Sequence, residues 1–159
     1  MPRPINTATR ELVKSFEGLR LRAYLCPTGH WTIGWGHARG VSECDTITAD
    51  EAEELLEQDL EDAGAIVDRQ IAVPLNDNQR GALASAFGFN IRNGEAQLAT
   101  STLRRLLNAG DYDAVPAQLM RWVHGEHPVT RQSVVIPGLV RRREAEAALW
   151  LTPDEVRHA

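Results

Sequence analysis

The spacing of apolar residues changes along the chain, and each change predicts a different kind of structure. Near the N-terminus, TATRELVKSFEG carries apolar residues at helical spacing, namely Leu12, Val13 and Phe16. Thr7 is expected to cap this short helix and Gly18 to end it. Beyond that glycine the helical period is lost, and further glycines alternate with aromatic and β-branched residues. This second pattern predicts a small antiparallel sheet with tight turns.

A long helix is predicted next, from the segment ITADEAEELLEQDLEDAGAIVDRQ. Thr48 and Glu51 have the spacing of a capping box, in which each side chain bonds the other residue's backbone N–H. Pro74 is expected to end the segment, because proline cannot continue a helix. At roughly 20 residues this helix would be about 30 Å long, enough to connect two lobes.

The remainder of the chain is predicted to be helical. Polar residues that suit a helix N-cap occur at Asn76, Ser101 and Asp111, and the last helical pattern starts at 137–138. Pro116 falls in the early turns of the helix that Asp111 begins, where a proline can bend it. Helices are therefore expected to make up the whole C-terminal half.

These elements predict an α+β fold in which a cleft separates two lobes. We expect one domain over residues 1–159, with a β-containing lobe at about 18–47 and an inter-lobe helix at about 48–70. A helical lobe then follows at about 74–152. The hydrophobic fraction of 43% and the charged fraction of 25% are ordinary for a soluble globular protein.

Charge and targeting signals narrow the class of function. The net charge of −5 argues against nucleic acid as a partner. Residues 1–40 are nevertheless basic overall, which would tolerate an anionic ligand, whereas 43–62 contain acids and no base and suit a solvated helix face. No stretch predicts a membrane span or a signal peptide. Two cysteines, Cys26 and Cys44, do not form a disulfide framework, which suits synthesis in a reducing cytoplasm.

The segment EGLRLRAYLCPTGHWTIGWGH holds the candidate chemistry. Glu17 is a lone carboxylate at a helix end, where the negative end of the dipole suits a group that donates a proton. Cys26 lies in a Pro-Thr-Gly turn, an unusual place for a core cysteine. Thr32 lies in a strand pattern. Without further context, Glu17 could be a surface acid, Cys26 a small buried hydrophobe and Thr32 a strand filler.

In its order of motifs the chain resembles the phage-type lysozymes of glycoside hydrolase family 24, which include the T-even phage lysozyme. The opening motif reads Glu17, eight residues, Cys26, five residues, Thr32 and then IGWGH. Further matches are ITADEAEELLEQDL, STLRRLLNAGD and GLVRRREAEAALWL, so that the resemblance covers about 140 residues. One departure is FNIRNG, which has Arg92 where the family pattern F-N-x-G has glycine, with Gly94 two residues later; this loop is expected to differ.

The resemblance implies a lysozyme-like fold and assigns roles to the opening motif. Glu17 would be the general acid and Thr32 would position a water. Cys26 stands where many members have aspartate, and whether it acts as base, nucleophile or water positioner stays open. An unperturbed thiol is mostly neutral at pH 7, and nearby Arg20, Arg22 and His30 could lower its pKa.

The resemblance also implies supporting residues. His37 would form a structural pair with Asp59. Arg142 would approach Glu17 from the far lobe, although Arg141 and Arg143 are equally available by spacing. Substrate-binding roles fall on His30, Asn90, Arg121, Trp122 and Arg142. The sequence contains no zinc motif, and no metal or other cofactor is implied.

The function implied is an endolysin muramidase that hydrolyses the β-1,4 bond between N-acetylmuramic acid and N-acetylglucosamine in peptidoglycan and lyses the host. A lytic transglycosylase that uses Glu17 alone is the nearest alternative, and an inactive cell-wall-binding protein is another. We expect a monomer made in the bacterial cytoplasm that acts in the periplasm. A holin-type pore would give it access to the wall.

Overall fold

The computed structural model describes residues 3–154, so residues 1–2 and 155–159 of the predicted domain lie outside the described residues. In chain order, the helices and strands are α1 (Thr7–Glu17), β1 (Arg20–Leu25), β2 (Trp31–Gly34), α2 (Ala49–Gln70), α3 (Asp77–Leu83), a π-helix (Ala84–Asn90), α4 (Gly94–Ala99), α5 (Thr102–Asn108), a 3-10 turn (Tyr112–Ala114), α6 (Val115–Leu119), β3 (His124–Glu126), β4 (Ser133–Val135) and α7 (Pro137–Leu151).

Helix α1 begins one residue earlier than predicted. Asn6, and not Thr7, is the N-cap, and its side-chain oxygen accepts a hydrogen bond from the Thr9 backbone N–H at 3.1 Å. Thr7 is already the first helical residue, so its predicted capping role is wrong. The predicted end is confirmed: Gly18 has φ of 70°, and its N–H donates to the Lys14 carbonyl at 3.2 Å.

Strands β1 and β2 form an antiparallel hairpin. Tyr24 lies opposite Thr32 and Leu25 opposite Trp31. Residues directly opposite each other project to the same face, so Tyr24 and Thr32 share a face of the hairpin. The backbone N–H of Cys26 donates to the His30 carbonyl at 2.9 Å, which closes the turn at the tip.

Helix α2 confirms the predicted capping box, because Thr48 and Glu51 each accept from the other's backbone N–H. The helix ends at Gln70, a few residues before Pro74. One side of α2 packs into the core with Leu56, Leu60 and Val67 at or below 1% exposure. The helix therefore connects the hairpin to the helical part of the molecule.

Asn76, Ser101 and Asp111 all act as N-caps, but the expectation of helices throughout the C-terminal half is wrong in two places. Asp111 caps only a 3-10 turn, and α6, which has Pro116 in its first turn, ends at Leu119. Strands β3 and β4 then pair as an antiparallel hairpin. The backbone hydrogen bonds of this hairpin outweigh the weak helical pattern before it.

The N-terminal helix packs with the C-terminal half although the hairpin separates them in sequence. Asn6 Nδ2 donates to Asn78 Oδ1 at 2.8 Å, and α1 also contacts α7. A Cβ atom at Gly81 would lie 1.7 Å from Thr9 Oγ1, so α3 needs glycine where α1 crosses it. The α+β class is confirmed: a small hairpin projects from a core of packed helices. Within residues 3–154, no helix is both long and apolar enough to cross a membrane.

The loop after the π-helix brings a glycine into close contact with backbone. At Gly94 a Cβ atom would lie 1.5 Å from the Phe87 carbonyl oxygen. Asn93 precedes it with φ of 54°, while Arg92 is exposed. Glycine is therefore required at the start of α4, two residues beyond the position expected from the motif.

Candidate active site

Glu17 is the last residue of α1, and its carboxylate is held by an arginine from the far end of the chain. Its Oε1 accepts a hydrogen bond from Arg142 Nη1 at 2.6 Å. Arg142 is 4% exposed and Glu17 is 21% exposed, so the pair is largely shielded from water. Of the arginines 141–143, Arg141 is exposed and Arg143 is buried against other partners. The packing of α7 thus selects Arg142.

The glycine-rich turn after β2 closes against the same carboxylate. Gly36 has φ of 80°, and a Cβ atom there would lie 2.8 Å from Glu17 Oε2. Glycine is required for both reasons. On the next residue, His37 Nδ1 lies 2.8 Å from Asp59 Oδ2, and its Nε2 lies 2.8 Å from the Arg39 carbonyl. The His37–Asp59 contact therefore attaches this turn to α2.

Cys26 lies at the tip of the β1–β2 hairpin and is not part of the core. Its Sγ is 3.0 Å from the Thr28 hydroxyl and accepts from the His30 backbone N–H at 3.4 Å. The Thr28 hydrogen bond is the largest cause that lowers the pKa of Cys26 from 9.0 to about 7; backbone N–H groups of His30 and Thr28 and the Thr32 hydroxyl add to it, while burial opposes it. About half of the thiol is then ionised at neutral pH.

The expected source of this pKa shift is wrong in its detail. Arg20 stacks on the ring of Tyr24 at 5.1 Å, and Arg22 lies 3.9 Å from the sulfur of Cys44. His30 contributes through its backbone N–H and not through its ring. Hydrogen-bond donors of the same hairpin, and not cationic side chains, stabilise the thiolate.

Tyr24 connects the two halves of the site electrostatically. Burial raises the pKa of Tyr24 most, the charges of Glu17 and Cys26 raise it further, and Arg20 opposes them. The phenol therefore lies within electrostatic reach of both groups. The sequence reasoning missed this residue, although its place two positions before Cys26 on a strand predicts a shared face.

Thr32 is 5% exposed, and its hydroxyl donates to the His30 carbonyl at 3.1 Å. A hydroxyl fixed in this way still has lone pairs that can accept a hydrogen bond. It lies on the face of the hairpin that carries Tyr24. The structure therefore brings Cys26, Thr32 and the backbone of His30 together at one end of the hairpin.

The predicted sugar-binding residues of the helical part are occupied by local contacts. Asn90 Oδ1 accepts from Arg143 Nη2 at 2.6 Å. Trp122 packs edge-on against Phe87 with ring centroids 4.9 Å apart. Arg121 is exposed, with its Nη1 3.5 Å from Gln118 Oε1. Their role toward a sugar stays a prediction.

Among residues 3–154, no group of three or more His, Cys, Asp or Glu side chains is placed to hold a metal ion. The groups that the structure offers for chemistry are a carboxylate, a thiol with a pKa near neutrality and hydroxyl groups. This set can transfer protons and carry out nucleophilic attack.

Comparison with known proteins shows the family of this chain. The sequence pattern of the phage lysozyme family matches residues 14–146. The chain belongs to the phage lysozyme family. It is 42% identical over 139 residues to an endolysin of Acyrthosiphon pisum secondary endosymbiont phage 1, covering 87% of this chain and 92% of that protein. It is 38% identical over 153 residues to the endolysin of Bacillus phage B103, covering 94% of this chain and 55% of that protein. The chain thus spans about half the length of that relative.

A solved structure supports the same family. The muramidase domain of SpmX from Asticaccaulis excentricus superposes with a TM-score of 0.83 at 38% identity, covering 94% of this chain and 98% of that one. The resemblance predicted from the motifs is confirmed at the level of the phage lysozyme family. In this phage lysozyme, the sequence reasoning missed Gly36, Tyr24 and two of the partners of Arg142, Ser85 and Glu146. A second charged residue one turn after Arg142 on the last helix, Glu146, was a signal for those partners.

Proposed function

We propose that this chain is a muramidase of glycoside hydrolase family 24 that hydrolyses the β-1,4 bond between N-acetylmuramic acid and N-acetylglucosamine in peptidoglycan and thereby lyses the bacterial host. As a phage lysozyme it is a cell-wall lytic enzyme; the bond, the hydrolytic outcome and host lysis are the proposal. One observation carries it. Glu17 accepts a hydrogen bond from Arg142 and lies against Gly36, beside a hairpin that presents Cys26 and Thr32.

In this proposal Glu17 is the general acid. Cleavage of a glycosidic bond requires a proton on the leaving oxygen and a second group that handles the cation-like carbon or its attacking water. Arg142 fixes the direction of the Glu17 carboxyl group in advance, so no entropy is lost in orienting that group during the reaction. After the proton has left, the carboxylate regains a charge-assisted hydrogen bond from Arg142 Nη1.

Cys26 is the second group. A pKa of about 7 leaves about half of Cys26 as thiolate at neutral pH, because Thr28 and the backbone N–H of His30 donate to the sulfur. The thiolate either removes a proton from water or attacks the sugar carbon directly. The Thr32 hydroxyl, fixed by the His30 carbonyl, would position the water in the first case.

The remaining assignments belong to the same proposal. His30, Asn90, Arg121 and Trp122 would contact the glycan on either side of the reacting bond. The protein would work as a monomer without a nucleic acid partner, made in the host cytoplasm and acting in the periplasm. A holin-type pore would admit it to the wall.

A lytic transglycosylase is the second candidate, and it is favoured by the chemistry of the second position. A thiol stands there instead of a carboxylate, and a transglycosylase needs only Glu17 because the 6-hydroxyl of the sugar attacks. An inactive wall-binding protein would leave glycan strands intact.

The mass of the released fragments distinguishes these functions. Purified peptidoglycan should yield muropeptides that end in reducing N-acetylmuramic acid, whereas a transglycosylase yields anhydro products lighter by one water. Glu17→Gln is the control: it keeps the shape but has no proton to give, so product formation should fall by at least about 100-fold. Anhydro products would refute the muramidase proposal in favour of a transglycosylase. Binding of the wild-type protein to peptidoglycan without release of any muropeptide would indicate a wall-binding protein.

A further inference from the structure

A buried charged cluster lies directly behind the residue that holds Glu17. Glu146 and Arg143 are both 0% exposed, and Arg143 Nε lies 2.5 Å from Glu146 Oε1. The other carboxylate oxygen, Oε2, accepts a hydrogen bond from Ser85 Oγ at 2.6 Å and lies 3.6 Å from Arg142 Nε. The charges therefore alternate along a line: Glu17, Arg142, Glu146, Arg143.

Two kinds of group surround the guanidinium of Arg142, and only the oxygen atoms among them can determine its orientation. Its central carbon lies 5.5 Å from the ring of Phe16 and 5.9 Å from the ring of Phe89. These aromatic rings offer the guanidinium no oxygen atom that could accept a hydrogen bond and fix its edges. The oxygens of Glu17 and Glu146 lie on two different edges of the guanidinium, and Ser85 Oγ lies 3.4 Å from Nη2.

We infer that Glu146, together with Ser85, is a positioning residue for the general acid: it fixes the Arg142 guanidinium so that Nη1 meets Glu17. This inference rests on the proposed function for its catalytic consequence. Glu146 does not reach the substrate site itself, because it is fully buried. It acts through Arg142.

The cost of this cluster supports a positioning role. Burial raises the pKa of Glu146, and the charges of Arg143 and Arg142 and the hydrogen bond from Ser85 act against that. Buried ion pairs are often no more stabilising than apolar residues of the same volume. Stability alone therefore gives little reason to place three charged side chains on the inner face of α7. The need to orient Arg142 does give a reason for placing them there.

The π-helix explains how a single element contacts the groups around both Arg142 and Arg143. Ser85 bonds Glu146, and Asn90, five residues later, bonds Arg143. In an α-helix neighbours on one face are three or four residues apart, whereas i to i+5 pairing brings residues five apart into register. Phe89 faces Arg142 from the same side. The wider helix thus aims Ser85, Phe89 and Asn90 at α7 together.

The test compares Glu146→Gln with Asp68→Asn. Glu146→Gln keeps the shape and a hydrogen-bond acceptor for Ser85 but removes the charge. Asp68→Asn removes the partner of Arg80, an almost fully buried arginine, in an ion pair that touches neither Glu17 nor Arg142 in the described part of the chain. Both variants are assayed on purified peptidoglycan well below their unfolding midpoints. We expect kcat to fall roughly 10- to 100-fold in Glu146→Gln with KM within about twofold, and both constants to be unchanged in Asp68→Asn.

Ser85→Ala keeps the question decidable if Glu146→Gln does not fold. It removes the hydroxyl that lies between Glu146 and Arg142, so kcat should also fall, but by less than in Glu146→Gln. An unchanged kcat in whichever of the two variants folds would overturn the inference. So would an equal loss of kcat in Asp68→Asn, since the effect would then follow general destabilisation.

A second measurement needs no activity. The coupling between Glu17 and Arg142 is obtained from the unfolding free energies of Glu17→Gln, Arg142→Met and the double variant. We expect this coupling to shrink when Glu146→Gln or Ser85→Ala is added and to persist with Asp68→Asn. A coupling that is unchanged by both additions refutes the positioning role. A reduced coupling in a protein that releases no muropeptides would instead leave the positioning role in place and remove the proposed function.

Discussion

At the scale of single residues, Cys26 and Glu17 owe their chemistry to very different distances along the chain. The thiolate of Cys26 is stabilised by Thr28 and by the backbone of His30, both within four residues. Glu17 depends on Arg142, 125 residues away, and on the close approach of Gly36. The surroundings of Cys26 are therefore built locally, whereas those of Glu17, the candidate general acid, depend on the whole fold.

If Cys26 acts as the second catalytic group, its replacements should separate function from stability. Cys26→Asp is expected to retain substantial lysis, because aspartate is ionised at neutral pH and has nearly the same reach. Cys26→Ala should lose most of its activity while melting within a few degrees of wild type, since a hairpin tip contributes little to the core. Turbidity clearance and thermal melts measure the two effects. Full activity in Cys26→Ala would move the assignment to the transglycosylase.

The thiolate itself can be titrated by alkylation. Because the pKa of Cys26 is about 7, the alkylation rate should rise with pH with a midpoint near that value. Thr28→Val removes the largest cause of the lowered pKa, so the midpoint should move up toward 9.0. Cys26→Asp, which retains Cys44, should escape inactivation. A wild-type midpoint no lower than that of Thr28→Val would show that the hydrogen bonds do not stabilise the thiolate.

At the scale of secondary-structure elements, α2 and α3 are joined by a paired arginine and aspartate. Arg80 Nε and Nη2 donate to the two carboxylate oxygens of Asp68, each at 2.9 Å. Helix α2 makes room for the guanidinium at Gly64, where a Cβ atom would lie 2.5 Å from Arg80 Nη2. This bidentate geometry ties α3 to α2.

Loss of this pair should show a defined pH dependence. Hydrogen bonds from Arg80 hold the pKa of Asp68 below its ordinary value of 3.8. The carboxylate therefore contributes its full stability above about pH 4 and loses it as pH falls through the lower folded-state pKa. Asp68→Asn should lower the unfolding free energy by about 1–2 kcal/mol near neutral pH, since Asp68 is half exposed. Denaturant unfolding should show that this difference shrinks as pH falls below 3.8 and closes once the pH lies below the lowered folded-state pKa of Asp68. A difference that persists there would mean that the charge is not its source.

At the scale of the whole molecule, the chain enters the helical core, leaves it to form the hairpin and returns through α2. Val13 of α1 is 0% exposed and belongs to the same cluster as Leu60 of α2, Leu103 of α5 and Trp150 of α7. Glu17 lies where the chain leaves this core. The candidate acid thus lies at the edge of the buried core, while Cys26 lies on the projecting hairpin.

This shared core predicts that the chain unfolds as one domain. Val13→Ala should destabilise the protein by about 1–3 kcal/mol, because it leaves a cavity in the core. Far-ultraviolet circular dichroism reports the helices, and amide exchange at β1 and β2 reports the hairpin. Both probes should shift to the same new midpoint in Val13→Ala. Two separated transitions would show that the hairpin and the helical part fold independently, contrary to the single-domain prediction.

The sequence by itself determined the features that depend on neighbouring residues. The capping box of Thr48 and Glu51, the cap at Asn76 and the helix end at Gly18 follow from hydrogen bonds within a few residues. The loss of helical period after Gly18 likewise predicted the first hairpin, and the order of motifs predicted the family. The thiol at Cys26 is recognisable for the same reason, although the sequence points to nearby cations and not to Thr28 as the cause of its lowered pKa.

Only the tertiary structure decided which of several equivalent residues face inward. Consecutive arginines on a helix point in different directions, and the packing of α7 against α1 and the π-helix selected Arg142 for Glu17 and Arg143 for Asn90. The π-helix and the β3–β4 hairpin have no strong local period, so their backbone pairing depends on what surrounds them. Contacts between residues more than a hundred positions apart cannot be predicted from local spacing, because the two partners meet only after the helices have packed.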